Sequence, residues 1–368
     1  MQFTTDYQDI LNQIDQIDPI AYGKSRNYVD GAVTKLSPYI SRGVISTKQV
    51  ADVVLAKGYH PDTIEPFLKE LAWRDYFQQV WLAIGDGIDK DIKQTQPDFN
   101  HHAIPDALTR AKMGIIAIDK GIDELTNIGY LHNHLRMYIA SITCNVGKSH
   151  WLLPAKWMYY HLLDADWASN ALSWQWVAGS FSSKKYFANQ ENINKYCHTE
   201  QTDTFLSVSY EELPNLKTPP VLENTAKLTL ETILPASDVL VLKPELPTYL
   251  YNFYNLDPNW DTEVEANRVL LISPSFFQKY PVSENTINFI LQLAKNVDNL
   301  QVYVGEFKEL LEHTNSASIN YKAHPTNIGY QGNEHSRNWI CEEVIGYFPS
   351  FFAYWKKCKP KLVAKYSN

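Results

Sequence analysis

Residues 129–180 contain GYLHNHLRMYIAS and then HLLDADWASNALSWQWVAGS, an ordered set of one arginine, two asparagines, two acids and closely spaced tryptophans. A fold that buries this set must give it polar partners inside the protein. On a helix, Asn170 and Trp174 are four residues apart and share a face, so an amide can meet the edge of a heterocycle while an indole stacks against the same ring. Trp176 then points elsewhere. Asp164 and Asp166, just before that helix, can receive N–H and hydroxyl hydrogens from a polar ligand, and Arg136 can pair with a carboxylate through its fork of donors. Taken singly, each residue is also explained by an aromatic core helix with an acidic N-cap.

Two upstream segments add to this set. Tyr22 and Arg26 precede VTKLSPYISRGVIS, residues 33–46, where hydroxyls and backbone amides lead into a helix. Helix N-termini carry unpaired N–H groups, so Thr34, Lys35, Leu36 and Ser37 suit a pyrophosphate; a routine loop-to-helix junction explains them too. FLKELAWRDYFQQVW, residues 67–81, fits a helix with one buried face. Within it Glu70 and Arg74 are i,i+4 neighbours, which by itself describes an ordinary surface ion pair.

Together these blocks resemble the flavin-binding domain of the photolyase/cryptochrome family. The resemblance covers roughly residues 5–205 and implies a mainly α-helical domain that holds FAD. It assigns cofactor contacts to Tyr22, Thr34, Lys35, Leu36, Ser37, Glu70, Arg74, Asn133, Arg136, Asp164, Asp166 and Asn170. Val33 stands where the family's phosphate turn has its first Thr, which removes one hydroxyl. The resemblance directs Arg26, Glu70, Trp73, Arg74, Asn133, His134, Met137 and Trp176 at a flipped-out pyrimidine lesion, with His134 replacing an arginine and Phe67 replacing a tryptophan. Glu70 and Asn170 become catalytic residues. Trp174 and Trp151 correspond to the inner two members of a three-tryptophan electron chain. The outer member is missing: residues 94–100, QTQPDFN, offer Phe99 and no indole. A substitute donor is sought at Trp157, Tyr159 or Tyr160, of which Trp157 also reads as core.

The implied activity is light-driven repair of pyrimidine dimers in DNA, single-stranded DNA included. A cryptochrome-like blue-light signalling protein with its own partner, and a non-catalytic interaction protein on the same fold, stand beside it. Net charge opposes repair: a formal charge of −8 and a pI near 5.8 give no global attraction to phosphate. Lys24, Arg26, Lys35, Arg42, Arg74, Arg136, Lys184 and Lys185 are the local cations that could offset this. The four cysteines show no CxxC pair, so a reducing cytoplasm is expected and no metal site. Residues 192–201 resemble the start of an iron–sulfur motif without its partner cysteine. No apolar run is long enough for a bilayer, no secretory signal is expected in MQFTTDYQDI, and a monomer is expected.

Residues 1–205 are expected to form the helical domain, with helices over 7–17, 47–57, 65–83 and 133–146. Residues 206–230, rich in Pro, Asn and Thr, are expected to be a linker. Residues 231–368 read as a small, Rossmann-like α/β domain with strands at SDVLVL, RVLLIS, LQVYVG and SINYKA and helices at SENTINFILQLAKNV and EFKELLEHT. Since the family carries its antenna domain ahead of the flavin domain, this part is a relocated antenna-like domain or an unrelated addition. It lacks a Gly-rich phosphate fingerprint, so FAD is expected to be the only chromophore. The closing GYFPSFFAYWKKCKPK reads as a helix docked on a core.

Overall fold

The computed structural model describes residues 3–314 and 318–366. Its chain forms two compact units: one of Met1–Pro19, Thr34–Ala83 and Glu231–Asn368, the other of Ile20–Val33 and Ile84–Leu230. The second unit is helical. Helix Ile116–Ile128 buries Ile118, Ile122 and Leu125 along one stripe and meets helix Asn133–Ser141 closely at Gly121. A Cβ there would lie 2.9 Å from the Leu135 Cδ1, so a larger residue would require that side chain to shift. The expected helix over 133–146 changes character near its end. Ile142–Val146 widens into a π-helical turn, and Asn145 donates its amide hydrogens to the carbonyls of Val177 and Tyr186.

Residues 206–230, expected as a linker, are folded onto this unit. Leu206, Leu213 and Leu222 are buried, and β1 (Ile104–Pro105) pairs antiparallel with β2 (Thr225–Ala226). Apolar residues at these spacings, not the Pro–Asn–Thr content, decide the outcome.

The first unit contains a five-stranded sheet built from β3 (Thr248–Tyr251), β4 (Asn267–Ile272), β5 (Leu300–Val304), β6 (Ile319–Lys322) and β7 (Asn333–His335). All its pairings are parallel, in the order β5-β4-β3-β6-β7. The chain therefore reverses its lateral direction between β3 and β6, the place where sheets of this kind usually take ligands. Here the chain's own side chains pack just beyond those strand ends. Tyr254 stacks on His324 at 4.1 Å, Trp81 stands edge-on to both, and the Arg42 guanidinium lies 3.6 Å over the Phe253 ring. Gly43, with φ +67, lets the Arg42 turn reach the backbone; a Cβ would sit 2.6 Å from the Tyr254 carbonyl.

Strands at RVLLIS, LQVYVG and SINYKA appear as expected, but SDVLVL does not form one. Its alternation is real, with Leu240 and Leu242 packed on the core and Val239 and Val241 exposed. Yet it is tied to β5 largely through side chains: Asp238 accepts from Val302 N–H and Gln301 bonds both backbone groups of Val241. The central strand is instead TYLY, buried at every position.

The units also divide the chain differently from the expected boundary at 205, because residues 34–83 group with the C-terminal part. Asp75 accepts from Ile340 N–H at 2.6 Å and from the Thr47 hydroxyl. Gln79 bonds Val344 and Gly346. Helix Phe351–Tyr366 packs its Phe351 face to face on Trp73, with centroids 3.7 Å apart, and its Lys359 pairs with Glu65. Apart from the Thr47 bond, these contacts join positions more than 250 apart, beyond the reach of any local pattern.

Burial pushes the Asp75 carboxyl up to about 6, with the Ile340 and Thr47 donors opposing that shift. Its folded value lies above the unfolded one of about 4, so its contribution to stability is full below about pH 4 and is lost as pH rises through about 6. The loss is at most about 3 kcal/mol, at about 1.4 per pKa unit. Asp75→Asn removes the charge and keeps both neighbours bonded. Denaturant unfolding across this range should show the decline flattened in the variant; an unchanged slope would contradict the assignment.

Candidate functional site

In the second unit the arginine, acids and amides meet around one helix start. Arg136, on helix Asn133–Ser141, pairs with Asp164 at 2.9 Å, where the Asp164 side chain is only 4% exposed. Its Nε also donates to the Leu131 carbonyl, which fixes the fork. Two residues on, Asp166 caps helix Trp167–Ala178 by accepting from the Ser169 N–H and hydroxyl. One turn later, Asn170 donates its amide to Ala155 O at 2.8 Å. Trp174 follows on the same face, and its buried indole N–H has no hydrogen-bond partner. An orphaned buried donor costs about 1–3 kcal/mol.

The second unit also holds the other residues expected at the substrate. Asn133 is exposed and reaches the Met137 sulfur. His134 is half-buried, and burial, with the Arg26 charge nearby, holds its pKa below the ordinary histidine value. It is therefore neutral near pH 7 and does not replace the charge of an arginine. Trp176 is 40% exposed and packs its ring against Tyr186. Tyr22 and Arg26 belong to this unit, the Tyr22 carbonyl accepting from Arg26 N–H.

Thr34, Lys35, Leu36, Ser37, Glu70, Trp73 and Arg74 lie in the first unit. The turn at 34–37 has Lys35 in the left-handed region, a buried Leu36 and a five-residue helix, Ser37–Ser41, whose Pro38 supplies no N–H. The expected row of phosphate donors is thus shorter than the motif implies. Glu70 and Arg74 share helix Glu65–Ile84, and Arg74 donates to the Ser41 hydroxyl. Phe351 covers one face of the ring of Trp73, the residue expected to stack on a base. Among the candidate cations, Arg42 is fully buried and Lys185 pairs with Asp98 at 3.0 Å, so neither is a loose surface charge.

The aromatic set contains a member that the motif did not flag. Trp151 lies 6.4 Å from Trp167, and Trp167 lies 5.4 Å from Tyr159. Each indole N–H is bonded to an acid: Trp151 to Asp91 at 2.7 Å, Trp167 to Asp89 at 2.8 Å. A sequence signal for Trp167 exists, since it stands seven residues before Trp174 and so on the same helix face. Phe99 packs with His102 and His150, and Trp157 is buried against His161. Among the described residues, no group of three or more His, Cys, Asp or Glu is placed to hold a metal, and no helix is long and apolar enough to cross a membrane.

The donors and acceptors of the second unit fit a flavin nucleotide: an acid held by arginine, an amide, and one turn on an indole N–H lacking an acceptor, which ring carbonyls or nitrogens would satisfy. Residues 67–231 match the FAD binding domain of DNA photolyase. The deoxyribodipyrimidine photo-lyase of Alkalihalophilus pseudofirmus is 30% identical over 184 residues, spanning 49% of this chain and 38% of the relative. Cryptochrome-1 of Arabidopsis thaliana is 26% identical over 192 residues, spanning 47% and 27%. The chain thus spans well under half the length of these relatives. A class III photolyase structure from Agrobacterium tumefaciens is similar at 22% identity and a TM-score of 0.43, over 57% of this chain and 53% of that one. Residues 67–231 thus match a photolyase-type FAD-binding domain, and over about half its length the chain is similar to photolyases and cryptochromes.

Proposed function

We propose that this chain is a light-driven DNA-repair flavoprotein acting on pyrimidine dimers. The observation that carries this reading is Trp176, a large ring left exposed on the flavin-binding unit and steadied by Tyr186. Such a ring suits stacking against an extruded base. Its support is the order of polar residues around it and the photolyases among the relatives.

FAD bound there would supply light-driven one-electron chemistry with no net redox change. The chain's residues bind and orient. Arg136 and Asp164, with Asn170, hold the cofactor's polar edge, and Thr34, Lys35, Leu36 and Ser37 serve its phosphates. Glu70, in its protonated form, donates its carboxyl O–H to the lesion carbonyl, while Arg26 and Arg74 neutralise phosphate. Asn133 and Met137 line the approach.

The second reading, a blue-light signalling flavoprotein, is favoured by one observation: Phe351 occupies one face of the Trp73 ring, which leaves less of it for a base. Illuminated oligonucleotides carrying dimers, single- and double-stranded, separate the two. Light-dependent loss of dimers selects repair; flavin reduction by light with dimers intact selects signalling.

Arg136→Ala leaves Asp164 buried without its guanidinium and should cost up to about 3 kcal/mol in denaturant unfolding, with loss of bound FAD on gel filtration. Wild-type FAD content in that variant would remove Arg136 from the site. Glu70→Gln should keep FAD and slow dimer repair by roughly a hundredfold, the usual scale for losing a positioned proton donor. An unchanged repair rate would exclude Glu70 from the chemistry.

A further inference from the structure

We propose that Trp167 is the electron donor to Trp151, in place of the missing outer tryptophan, and that Asp89 receives its indole proton. This rests on the light-driven reading of the flavin site. The Trp167 and Trp151 rings are 6.4 Å apart between centroids, with planes inclined by 31°. Electron transfer falls off exponentially with edge separation, so rings in near contact exchange an electron fastest. Trp167 and Trp174 share a helix but are seven residues apart, about 10 Å along its axis. Trp151 is therefore the nearer indole. Phe99, at the expected outer position, is a benzene ring and far harder to oxidise than an indole.

The hydrogen bonds give the transfer a direction. Once Trp151 has given up an electron toward the photoexcited oxidised cofactor, one electron passes from the Trp167 ring to Trp151, which returns to a closed-shell indole. The Trp167 N–H bond then breaks, its proton moves to Asp89 Oδ1 at 2.8 Å, and a neutral indolyl radical remains. Trp167 is 0% exposed, so a lasting positive charge on its ring would be costly; losing the proton removes that charge and opposes the return of the electron. Asp89 closes the short turn Gly85–Asp89 between exposed Asp86 and Lys90, so the proton can leave to water. A soluble thiolate restores Trp167 by giving up one electron and becoming a thiyl radical, and the proton returns to the indole nitrogen through Asp89.

The test is flash photolysis of the full chain carrying oxidised FAD, following the tryptophan radical spectrum, together with NMR of nitrogen-labelled indoles in the flavin-free chain. Trp167→Phe should abolish the long-lived neutral radical at unchanged FAD content. Asp89→Asn should keep the electron transfer, leave the radical in its protonated cation form, and shift the Trp167 indole N–H resonance. Trp174→Phe is the control for the underlying reading: a radical that survives it shows that the flavin site does not use this route at all. A radical lost in Trp174→Phe yet unchanged in Trp167→Phe overturns the role of Trp167 alone. If Trp167→Phe fails to hold FAD, Asp89→Asn decides: a neutral radical of wild-type lifetime, or an unmoved indole resonance, overturns the proposal.

Discussion

The pairing of Arg136 with Asp164 is the constraint on which the flavin-binding unit depends. A carboxylate this well buried is expensive to desolvate, and the arginine repays that cost only by holding a fixed geometry. That geometry sets where the chain turns before helix Trp167–Ala178. Asp166 then caps the helix, Asn170 is bonded to the Ala155 carbonyl, and Trp174 is left with an indole N–H that the protein does not satisfy. Each step follows from the previous one, so a ligand site arises from a small number of polar commitments inside an apolar bundle.

The other unit is organised by polar groups of a different kind. Asp75 gathers Thr47 and Ile340, Gln79 gathers Val344 and Gly346, and the Arg42 cation rests on Phe253. Residues 34–83 are thereby committed to the C-terminal sheet. The same packing brings Arg42, Trp81, Tyr254 and His324 to the point where the strand order reverses. A sheet with the strand order of a nucleotide-binding fold has, in this chain, its own side chains at that point.

What could be read in the sequence was local. The helices at 65–84 and 167–178 have apolar spacing, caps or both within a few residues, and three of the sheet's strands are short apolar runs of ordinary length. The candidate residues on helices Asn133–Ser141 and Trp167–Ala178 could be placed because i,i+3 and i,i+4 spacing determines a shared face. Three features could not be read, and a fourth only in part. The strand TYLY lacks alternation, because both of its faces are buried. SDVLVL alternates correctly, but a side-chain ladder along an edge looks identical in sequence to a strand. The covering of Trp73 by Phe351 joins residues 278 positions apart. Trp167 was visible in its spacing from Trp174, but its value depends on two carboxylates, Asp89 and Asp91, that lie some sixty to eighty residues upstream of the indoles they bond.

Titration of the flavin-free full chain with FAD, read by quenching of intrinsic tryptophan fluorescence, tests the central claim most directly. Binding should be saturable and stoichiometric with strong quenching, and the quench should be smaller when Trp174 is replaced by Phe, because that indole should stack beside the bound ring. Absence of saturable binding, or quenching that is the same with and without Trp174, would contradict a flavin site built on the Arg136–Asp164 pair and helix Trp167–Ala178.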